Sequence, residues 1–319
     1  MPLLKRIRVL AAKVEAVPGV AETIANTDAA FNVFDAEMQP DIEFFERPQQ
    51  GSYNHLRGAL GARGATCTFR TEIYGGANAA TTPGWTTFLR GCGMVESSGE
   101  FTFVTGTVGN TTGSQRTLTI ALFENGKRKA MRGAMGNFVL NFPTGRPAFI
   151  EWTFNGIWIP PIDATLPVPT YPGQMPMRAA AIDNNTGATI VRTSDNAAWT
   201  ACFENLTIDA GNEVVLRPCV NPTDGSGFAT ALITNRRTTG EFNPESTLVN
   251  TKNVYNDWLT YDTHNLNYRI GDGVSEFNAQ LEGFQIENLQ EGDRENMQID
   301  TVSFSQTINS LVIQTGAAL

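Results

Sequence analysis

The sequence predicts a mostly-β protein that contains two tandem copies of one mostly-β domain, each with one short helix, joined by a proline-rich strap. Apolar residues alternate with period two along most of the 319 residues. Six prolines fall within residues 160–176, and short motifs recur in the same order about half a chain length apart. We therefore expect an N-terminal arm and a first domain in residues 1–158, a linker in 159–197 and a second domain in 198–319.

Strict alternation predicts the first strands. In TCTFRTEIY, Cys67, Phe69 and Ile73 point to one face, and polar residues between them point to the other. The pair Asn125-Gly126 lies between two alternating runs. Such a pair is typical of a two-residue hairpin, because the turn requires positive φ at both central positions.

Two more hairpins are predicted in the same way. In the first, NFVLNF and AFIEWTF flank the turn PTGRP, and in the second LNYRI precedes the turn GDG. The residues that alternate onto one face are Ile150, Trp152 and Phe154 in the first hairpin and Leu266, Tyr268 and Ile270 in the second. We expect these faces to be buried.

Two short helices are predicted between the strands, because apolar residues spaced by three and four share one helix face. These residues are Trp85, Phe88 and Leu89 in PGWTTFLRGCG, and Val254, Trp258 and Tyr261 in NVYNDWLTYD. Pro83 near the first turn and Gly91 at the end mark the bounds of the first helix. We expect the aromatic side chains to pin each helix onto a sheet.

The two halves of the chain repeat the same motifs in the same order. IEFFERP (42–48) matches NEVVLRP (212–218), CTFRTE matches GEFNPE, and a short helix and a closing hairpin follow in each half. Each match is short, but the preserved order indicates a tandem duplication. Between the halves, the strap PPIDATLPVPTYPGQMP is expected to be extended and semi-rigid, because proline fixes φ and has no N–H to donate.

The composition is that of a globular protein, with 41% apolar and 17% charged residues. No apolar run is long enough to span a bilayer. Lys13 and Glu15 interrupt the N-terminal apolar stretch before it could serve as a signal peptide, so we expect a soluble protein that is not exported. Residues 198–319 hold 6 basic and 16 acidic side chains. This balance argues against wrapping DNA, but not against a surface along which DNA slides.

No catalytic, cofactor or metal site is predicted. GALGARG (58–64) lacks the spacing and the Lys-Ser/Thr of a phosphate-binding loop, and we interpret it as a glycine-rich loop. Two histidines, His55 and His264, and the absence of GxSxG leave no nucleophilic arrangement. None of the four cysteines lies in a CxxC pair, so free thiols are favoured, although two disulfides are compatible with the sequence. A glycosidase carboxylate pair is compatible with the acidic content, but a solvated acidic face is favoured.

Several stretches resemble the major tail tube proteins of long-tailed bacteriophages and related prophages. They are LAAKVE (10–15), FLRGCGM (88–94), FIEWTFNGIWIPP (149–161), NEVVLRP (212–218) and ALITNRRTTGEFNPE (231–245). The resemblance runs through most of the chain. It implies two tandem tail-tube-type β-sandwich or half-barrel domains, each with one short flanking α-helix. It also implies rings whose inner strands form a barrel around a DNA channel. It brings no catalytic residues and no cofactor.

The second copy departs from the simplest members of that family, whose single-domain chains form hexameric rings. If one copy fills one sixth of a ring, a two-copy chain fills one third. The resemblance thus implies a homotrimer with pseudo-sixfold symmetry in the non-contractile tail of a siphophage virion, assembled in the host cytoplasm; a contractile-tail tube is a close variant. It also implies tape measure, tail terminator and baseplate or tip proteins as partners, viral DNA passing through the lumen without specific binding, and no membrane partner.

The charges of the closing hairpins predict which surfaces of neighbouring domain copies meet in a ring. The closing hairpins of the two halves differ in sign, so alternating copies around a trimer would bring basic residues against acidic ones, or rings would do so when stacked. The basic residues are Lys127, Arg128, Lys129 and Arg132, and the acidic residues are Glu287, Glu291, Asp293 and Glu295. The alternative is two independently solvated faces. Glu151 and Asp300, expected at matching places in the two copies, are predicted to face the lumen, where carboxylates would repel DNA phosphates.

Other functions stay open from the sequence. A two-domain β-sandwich that binds a receptor or a carbohydrate as a tail module is the alternative. It would favour exposed aromatic platforms, whereas the five tryptophans fall mostly within amphipathic patterns. An enzyme is the third reading. The basic N-terminal segment and the proline strap are expected either to cross between stacked rings or, for the N-terminal segment, to cover its own domain.

Overall fold

The computed structural model describes residues 6–75, 82–104, 106–111, 113–169, 171, 176–177, 187–199, 202–222, 224–271, 276–306 and 311–316. Within them the chain forms eighteen β-strands and two α-helices. The strands are β1 (Arg8–Val14), β2 (Phe34–Pro48), β3 (His55–Glu72), β4 (Met94–Ser97), β5 (Glu100–Phe103), β6 (Leu118–Glu124), β7 (Lys127–Pro143), β8 (Phe149–Asp163), β9 (Gly187–Arg192), β10 (Ala198–Trp199), β11 (Phe203–Asp209), β12 (Asn212–Pro218), β13 (Phe228–Arg236), β14 (Thr239–Pro244), β15 (Thr263–Gly271), β16 (Glu276–Arg294), β17 (Met297–Gln306) and β18 (Val312–Gly316). The helices are α1 (Thr87–Gly91) and α2 (Val254–Leu259). The prediction of a mostly-β fold is confirmed.

Both halves of the chain build an antiparallel sheet with the same strand order. In the first half the order is β1–β6–β7–β8–β3–β2. In the second half it is β9–β15–β16–β17–β14–β11. Corresponding strands also follow one another in the same order along the chain. This agreement supports the interpretation as a tandem duplication. Three long strands of the first half each correspond to two shorter strands of the second half: β2 to β11 and β12, β3 to β13 and β14, and β8 to β17 and β18.

The pairing registers indicate which residues are equivalent in the two halves. Phe69 of β3 lies opposite Trp152 of β8, and Phe242 of β14 lies opposite Val302 of β17. Both phenylalanines are buried. If Phe69 and Phe242 are equivalent, as their motifs predict, Trp152 is equivalent to Val302. From this pair, the strand pairings in each half give the equivalent residues of the neighbouring strands as well.

The core is continuous between the halves. Trp152 lies at the centre of the first half, where it packs on Phe69 and Phe88. The ring of Phe142 on β7 packs at 4.2 Å from that of Tyr268 on β15, and so joins the two sets of aromatic residues. The sequence predicts two domains with separate cores. Instead, most strands form one sheet because β11 pairs with β7, which brings the buried faces of both halves together.

The predicted helices and hairpins form, with one difference. Trp85, Phe88 and Leu89 are buried as expected, and Asn125-Gly126 has positive φ at both positions. In α2, however, Tyr261 is 74% exposed, because the helix ends at Leu259 and Tyr261 turns to a φ of 58°. Asp257 takes the buried position on that helix. The turn GDG falls partly outside the described residues.

Strand residues extend into the expected linker. β8 continues to Asp163, so Pro160 and Pro161 lie at its end, and β9 starts at Gly187 in the place that β1 has in the first half. Pro160 and Pro161 are tolerated because β8 is paired there with β7 on one side only among the described strands. The N-terminal segment forms β1 on β6, so it covers its own half. All four cysteines are free.

Candidate assembly surfaces

The two halves are joined edge to edge. β11 of the second half pairs antiparallel with the end of β7, from Asn205 opposite Pro143 to Asp209 opposite Val139. The backbone N–H of Ala210 extends this ladder by donating to the carbonyl of Phe138 over 3.0 Å. β7 is thus paired by β8 on one side and by β6 and then β11 on the other. The junction covers two sheet edges that would otherwise be open.

Amide and carboxylate side chains reinforce this junction. The Asn137 amide donates to Asp209 Oδ1 over 2.7 Å, and Asn137 Oδ1 accepts the backbone N–H of Asn212 over 2.9 Å. The buried Asn212 amide donates to the carbonyls of Cys92 and Gly136 over 2.9 and 3.0 Å. A shift of register would leave these buried groups without partners, so the network specifies one alignment of the halves.

Arg236 anchors the end of β13 to the first half. Its Nε donates to Asn212 Oδ1 over 2.8 Å, and its guanidinium lies 3.6 Å from the centre of the Phe103 ring. This is the geometry of a cation–π contact. Burial lowers the pKa of Arg236 to about 10, so the side chain stays charged near neutral pH. The ring contact holds the β12–β13 hairpin on the first half, while the hydrogen bond orients Asn212, whose amide donates to that half.

The β12–β13 hairpin is a separate two-stranded sheet that packs on the first half. Ile233 of β13 lies in a small apolar cluster with Met135 of β7. Beside it, Arg132 makes an ion pair of 2.6 Å with Asp224. Burial raises the pKa of Asp224, but hydrogen bonds from Arg132 and Ser226 outweigh this effect and lower it to about 2. The hairpin therefore docks through both apolar and charged contacts.

Within the described part of the chain, the counterparts of the joined edges have a strand partner on one side only. Along residues 34–39, β2 pairs only with β3 among the described strands, although its equivalent β11 pairs on both sides. Beyond residue 286, β16 pairs only with β17 within the described chain, although its equivalent β7 is paired on both sides. Residues 287–294 are exposed or half-buried. The chain thus carries one open edge of each kind that meets at the junction.

Past its open edge, β2 continues with β3 into a hairpin arm, residues 40–62. Phe44 and Leu60 on this arm are 59% and 70% exposed and lie opposite each other. The pair corresponds to Val214 and Ile233 of the β12–β13 hairpin, which do pack on a neighbouring half. Exposed apolar side chains in this arrangement are typical of an interaction surface.

The prediction of a glycine-rich loop at GALGARG is wrong, because these residues lie within β3. A Cβ on Gly58 would come within 2.2 Å of Phe44 Cζ. Glycine therefore lets the phenylalanine ring of β2 lie directly on β3. The small residues serve cross-strand packing in the arm and not a turn.

The structure places the predicted basic residues at the start of β7. Lys129 makes an ion pair of 2.7 Å with Glu124, and Arg132 is the partner of the β12–β13 hairpin described above. Lys127 and Arg128 lie opposite the last residues of β8. Two of the four basic side chains are therefore already paired within the chain.

The predicted acidic residues lie at the end of β16 and in the following turn. Their contacts are Glu287 with Arg237 and Ser305, Glu291 with the Tyr255 hydroxyl at 2.7 Å, and Asp293 with the backbone N–H of Asn296 at 3.4 Å, while Glu295 has a φ of 51° in the turn. Within the described residues this group does not contact the basic one. β7 and β16 are equivalent, so the two groups lie at opposite ends of corresponding strands. Pairing between chains stays a prediction.

The prediction that Glu151 and Asp300 occupy matching positions is wrong. Glu151 is exposed and lies opposite Arg70. Asp300 is only 6% exposed and shares the inward side of β17 with Val302. By the register above, the equivalent of Glu151 is Thr301. The difference is one residue, and one residue reverses the face in a strand.

A buried charged cluster holds α2 onto the second sheet. Asp257 Oδ2 lies 3.1 Å from His264 Nε2 and 2.7 Å from Lys252 Nζ, and Asp257 Oδ1 lies 3.3 Å from Arg192 Nη1. Asp257 and His264 are inaccessible to solvent, at 1% and 0% exposure. A substrate could not reach them, so we interpret the cluster as structural.

We expect acidification to destabilise the protein through His264. Burial chiefly lowers the pKa of His264 below its usual 6.5, although the hydrogen bond with Asp257 acts in the opposite direction. The unfolded chain then binds a proton that the folded chain does not, so stability is lost as pH falls below about 6.5. Urea unfolding midpoints measured between about pH 7.5 and 5.5 should decline less in His264→Gln. His55→Gln, at an exposed histidine, should keep the wild-type slope; equal slopes in all three proteins would contradict this assignment.

No protein-family model matches this sequence, and no curated protein matches it. No helix among the described residues is long and apolar enough to cross a membrane. Across the same part of the chain, no group of three or more His, Cys, Asp or Glu side chains is arranged to hold a metal ion.

Proposed function

We propose that this protein is a structural protein that assembles with its own copies into rings, which stack as the tube of a long phage tail. One observation carries the proposal. Two halves of the same strand order are joined edge to edge, and the equivalents of the joined edges are open on the same chain. A contact between two different surfaces that can repeat from chain to chain generates rings or filaments. The resemblance to tail tube proteins favours a ring.

The duplication favours three chains in each ring. Three chains supply six copies, with alternating junctions within and between chains. At −9 each, they give the ring a net charge of −27. A negatively charged lumen would let DNA pass without binding it, which suits a channel for ejection. In this proposal the other tail components, the tape measure, terminator and tip proteins, meet the tube at its ends or within it.

The alternative of a receptor- or carbohydrate-binding module is less well supported. Such modules commonly present flat aromatic surfaces to their ligand. Four of the five tryptophans are buried and Trp258 is partly buried against the core. An enzyme has the weakest support, since the buried Asp257–His264 pair is inaccessible to substrate.

The test is electron microscopy of the purified, concentrated protein, with rotational symmetry taken from end-on views. We expect six-lobed rings or tubes with true threefold symmetry, because two similar but unequal copies alternate around the axis. Rings of six chains would retain the function and contradict the trimer. Dispersed particles at all concentrations, also with tail-tip components added, would contradict the proposed function.

A further inference from the structure

We infer that residues 36–39 of β2 add to residues 290–293 of β16 in a second copy of this chain, antiparallel, with Gln39 opposite Gln290. The inference rests on the proposed function and specifies the surface through which one chain binds the next. It also predicts that contacts between chains repeat the contact that already joins the two halves of one chain.

The register follows from the internal junction. Glu37 lies opposite Thr68 in the first half, as Thr207 lies opposite Glu241 in the second. Residues of β2 are thus equivalent to those of β11, and Gln39 takes the place of Asp209. The partner of Asp209 in the junction is Val139.

The equivalent of Val139 follows from the neighbouring strands. Phe138 lies opposite Trp152, and Leu289 lies opposite Val302. Because Trp152 and Val302 are equivalent, so are Phe138 and Leu289, and the next residue along β16 is Gln290. Replacing each member of the Asp209–Val139 pair by its equivalent gives Gln39 opposite Gln290.

The backbone is suited to this pairing from Ala36 onward, after the bulge at which Asp35 has a φ of 51°. Pro40 follows Gln39 and has no N–H, so the ladder would end where the open segment of β2 ends. The Ala36 carbonyl already accepts a hydrogen bond from the Arg8 guanidinium over 2.6 Å, and it has a second lone pair. On β16, the Trp258 indole donates to the carbonyl of Glu287 over 3.2 Å, which lies before the paired segment.

The side chains make this contact weaker than the internal one. In the internal junction, Leu206 and Ile208 of β11 face Phe142 and Leu140 of β7, and all four are buried. Between chains, Ala36 and Met38 would face Asp293 and Glu291 instead. Charges on an open edge keep an isolated chain soluble, and a weaker repeat contact makes assembly dependent on concentration.

The arm would follow the edge onto the neighbouring chain. In the internal junction, β11 continues into the β12–β13 hairpin, which packs on the first half. β2 continues directly into the arm, so Phe44 and Leu60 would pack on the second half of the next chain. This accounts for their exposure in the single chain.

Disulfide trapping tests the register. Gln39→Cys and Gln290→Cys are combined in a chain that also carries Cys202→Ser and Cys219→Ser, so that no exposed or half-buried native thiol remains among the described residues. Gln298→Cys replaces Gln290→Cys in the control, because it is an exposed glutamine on the adjacent strand β17. The 39/298 pair would be separated by two strand spacings and also by three residues along the strand, because Gln298 lies opposite Asp293, and this is beyond disulfide reach. After assembly and mild oxidation, we expect covalent multimers from 39/290, and at least about ten times less from 39/298.

Assembly is measured first, under reducing conditions, by microscopy and by mass. If the variants assemble and 39/290 does not cross-link, or 39/298 cross-links equally well, the register is wrong and the proposed function stands. If the wild-type protein does not assemble at all, the proposed function and this inference both fail. Cross-links within a single chain, detected as faster-migrating monomer, would also overturn the inference.

Discussion

Glu15→Gln is expected to lower the free energy of unfolding by about 3 kcal/mol or more. The Glu15 carboxylate is 1% exposed and accepts four hydrogen bonds. Its donors are the backbone N–H groups of Gly19 and Gly133, each at 2.7 Å, and the hydroxyls of Thr117 and Thr119, at 2.6 and 2.9 Å. A glutamine side chain would replace one carboxylate oxygen by an NH₂ group, which cannot accept a hydrogen bond. Some of the buried N–H and hydroxyl donors around residue 15 would then lose their acceptor.

Glu22→Gln is the matched control for this prediction. Its carboxylate accepts the backbone N–H of Ala16 over 3.1 Å and lies 3.5 Å from Lys13 Nζ at a partly exposed position. A loss of no more than about 1 kcal/mol is expected there. Denaturant unfolding of both variants gives the comparison. A similar loss of unfolding free energy in both variants would mean that the four hydrogen bonds of Glu15 do not contribute more than the exposed contacts of Glu22.

Gly211→Ala is expected to destabilise the protein by about 4 kcal/mol or more, because two penalties add at this position. Gly211 has a φ of 69°, and a Cβ there would lie 1.8 Å from the carbonyl oxygen of Arg237. That oxygen belongs to the backbone and cannot rotate away. Gly211 forms the bend from β11 into β12, with its N–H donating to Asp209 Oδ1 over 2.8 Å and its carbonyl accepting from Arg237 over 3.1 Å.

Gly225→Ala separates the two penalties. Gly225 has a φ of 67°, yet no atom lies within 4 Å of its Cβ position. The left-handed backbone alone should cost about 1–2 kcal/mol. The difference between the variants, measured by denaturant unfolding, reports the steric cost of the bend. Equal losses would show that the bend relaxes and does not hold the hairpin in place.

The strand faces could be predicted because period-two alternation reflects burial. Cys67, Phe69 and Ile73 are buried, as are the alternating residues of the two later hairpins. The order of elements in the repeat could also be predicted, since motifs survive as short matches. The residue-by-residue alignment of the two halves could not be predicted, because it depends on bulges such as the one between Ile286 and Asn288. The motif match FIEWTF/QIDTVSF is also one residue out of step with the β3–β8 and β14–β17 ladders, so it places Asp300 on the wrong face.

The junction itself had no signal in the sequence. Asn137, Asn212 and Arg236 look like solvated strand residues, and their partners depend on β11 lying beside β7, about seventy residues away along the chain. The sequence does not indicate the exposed arm either. Phe44 lies in an apolar stretch whose motif was informative only as a repeat, and its exposure follows from the absence of a neighbouring half within the described chain.

The last described strand sets the order in which the fold can be completed. β18 pairs with β16 on one side and with β5 of the first half on the other, and Ile313 is fully buried between them. Gln314 donates to Glu100 across 214 residues of sequence. Such distant pairing closes slowly, and a ribosome must pass residue 316 before it can form at all. A nascent chain therefore lacks part of the core of its first half until residues 312–316 have been synthesised, although the other strands of that half are made much earlier.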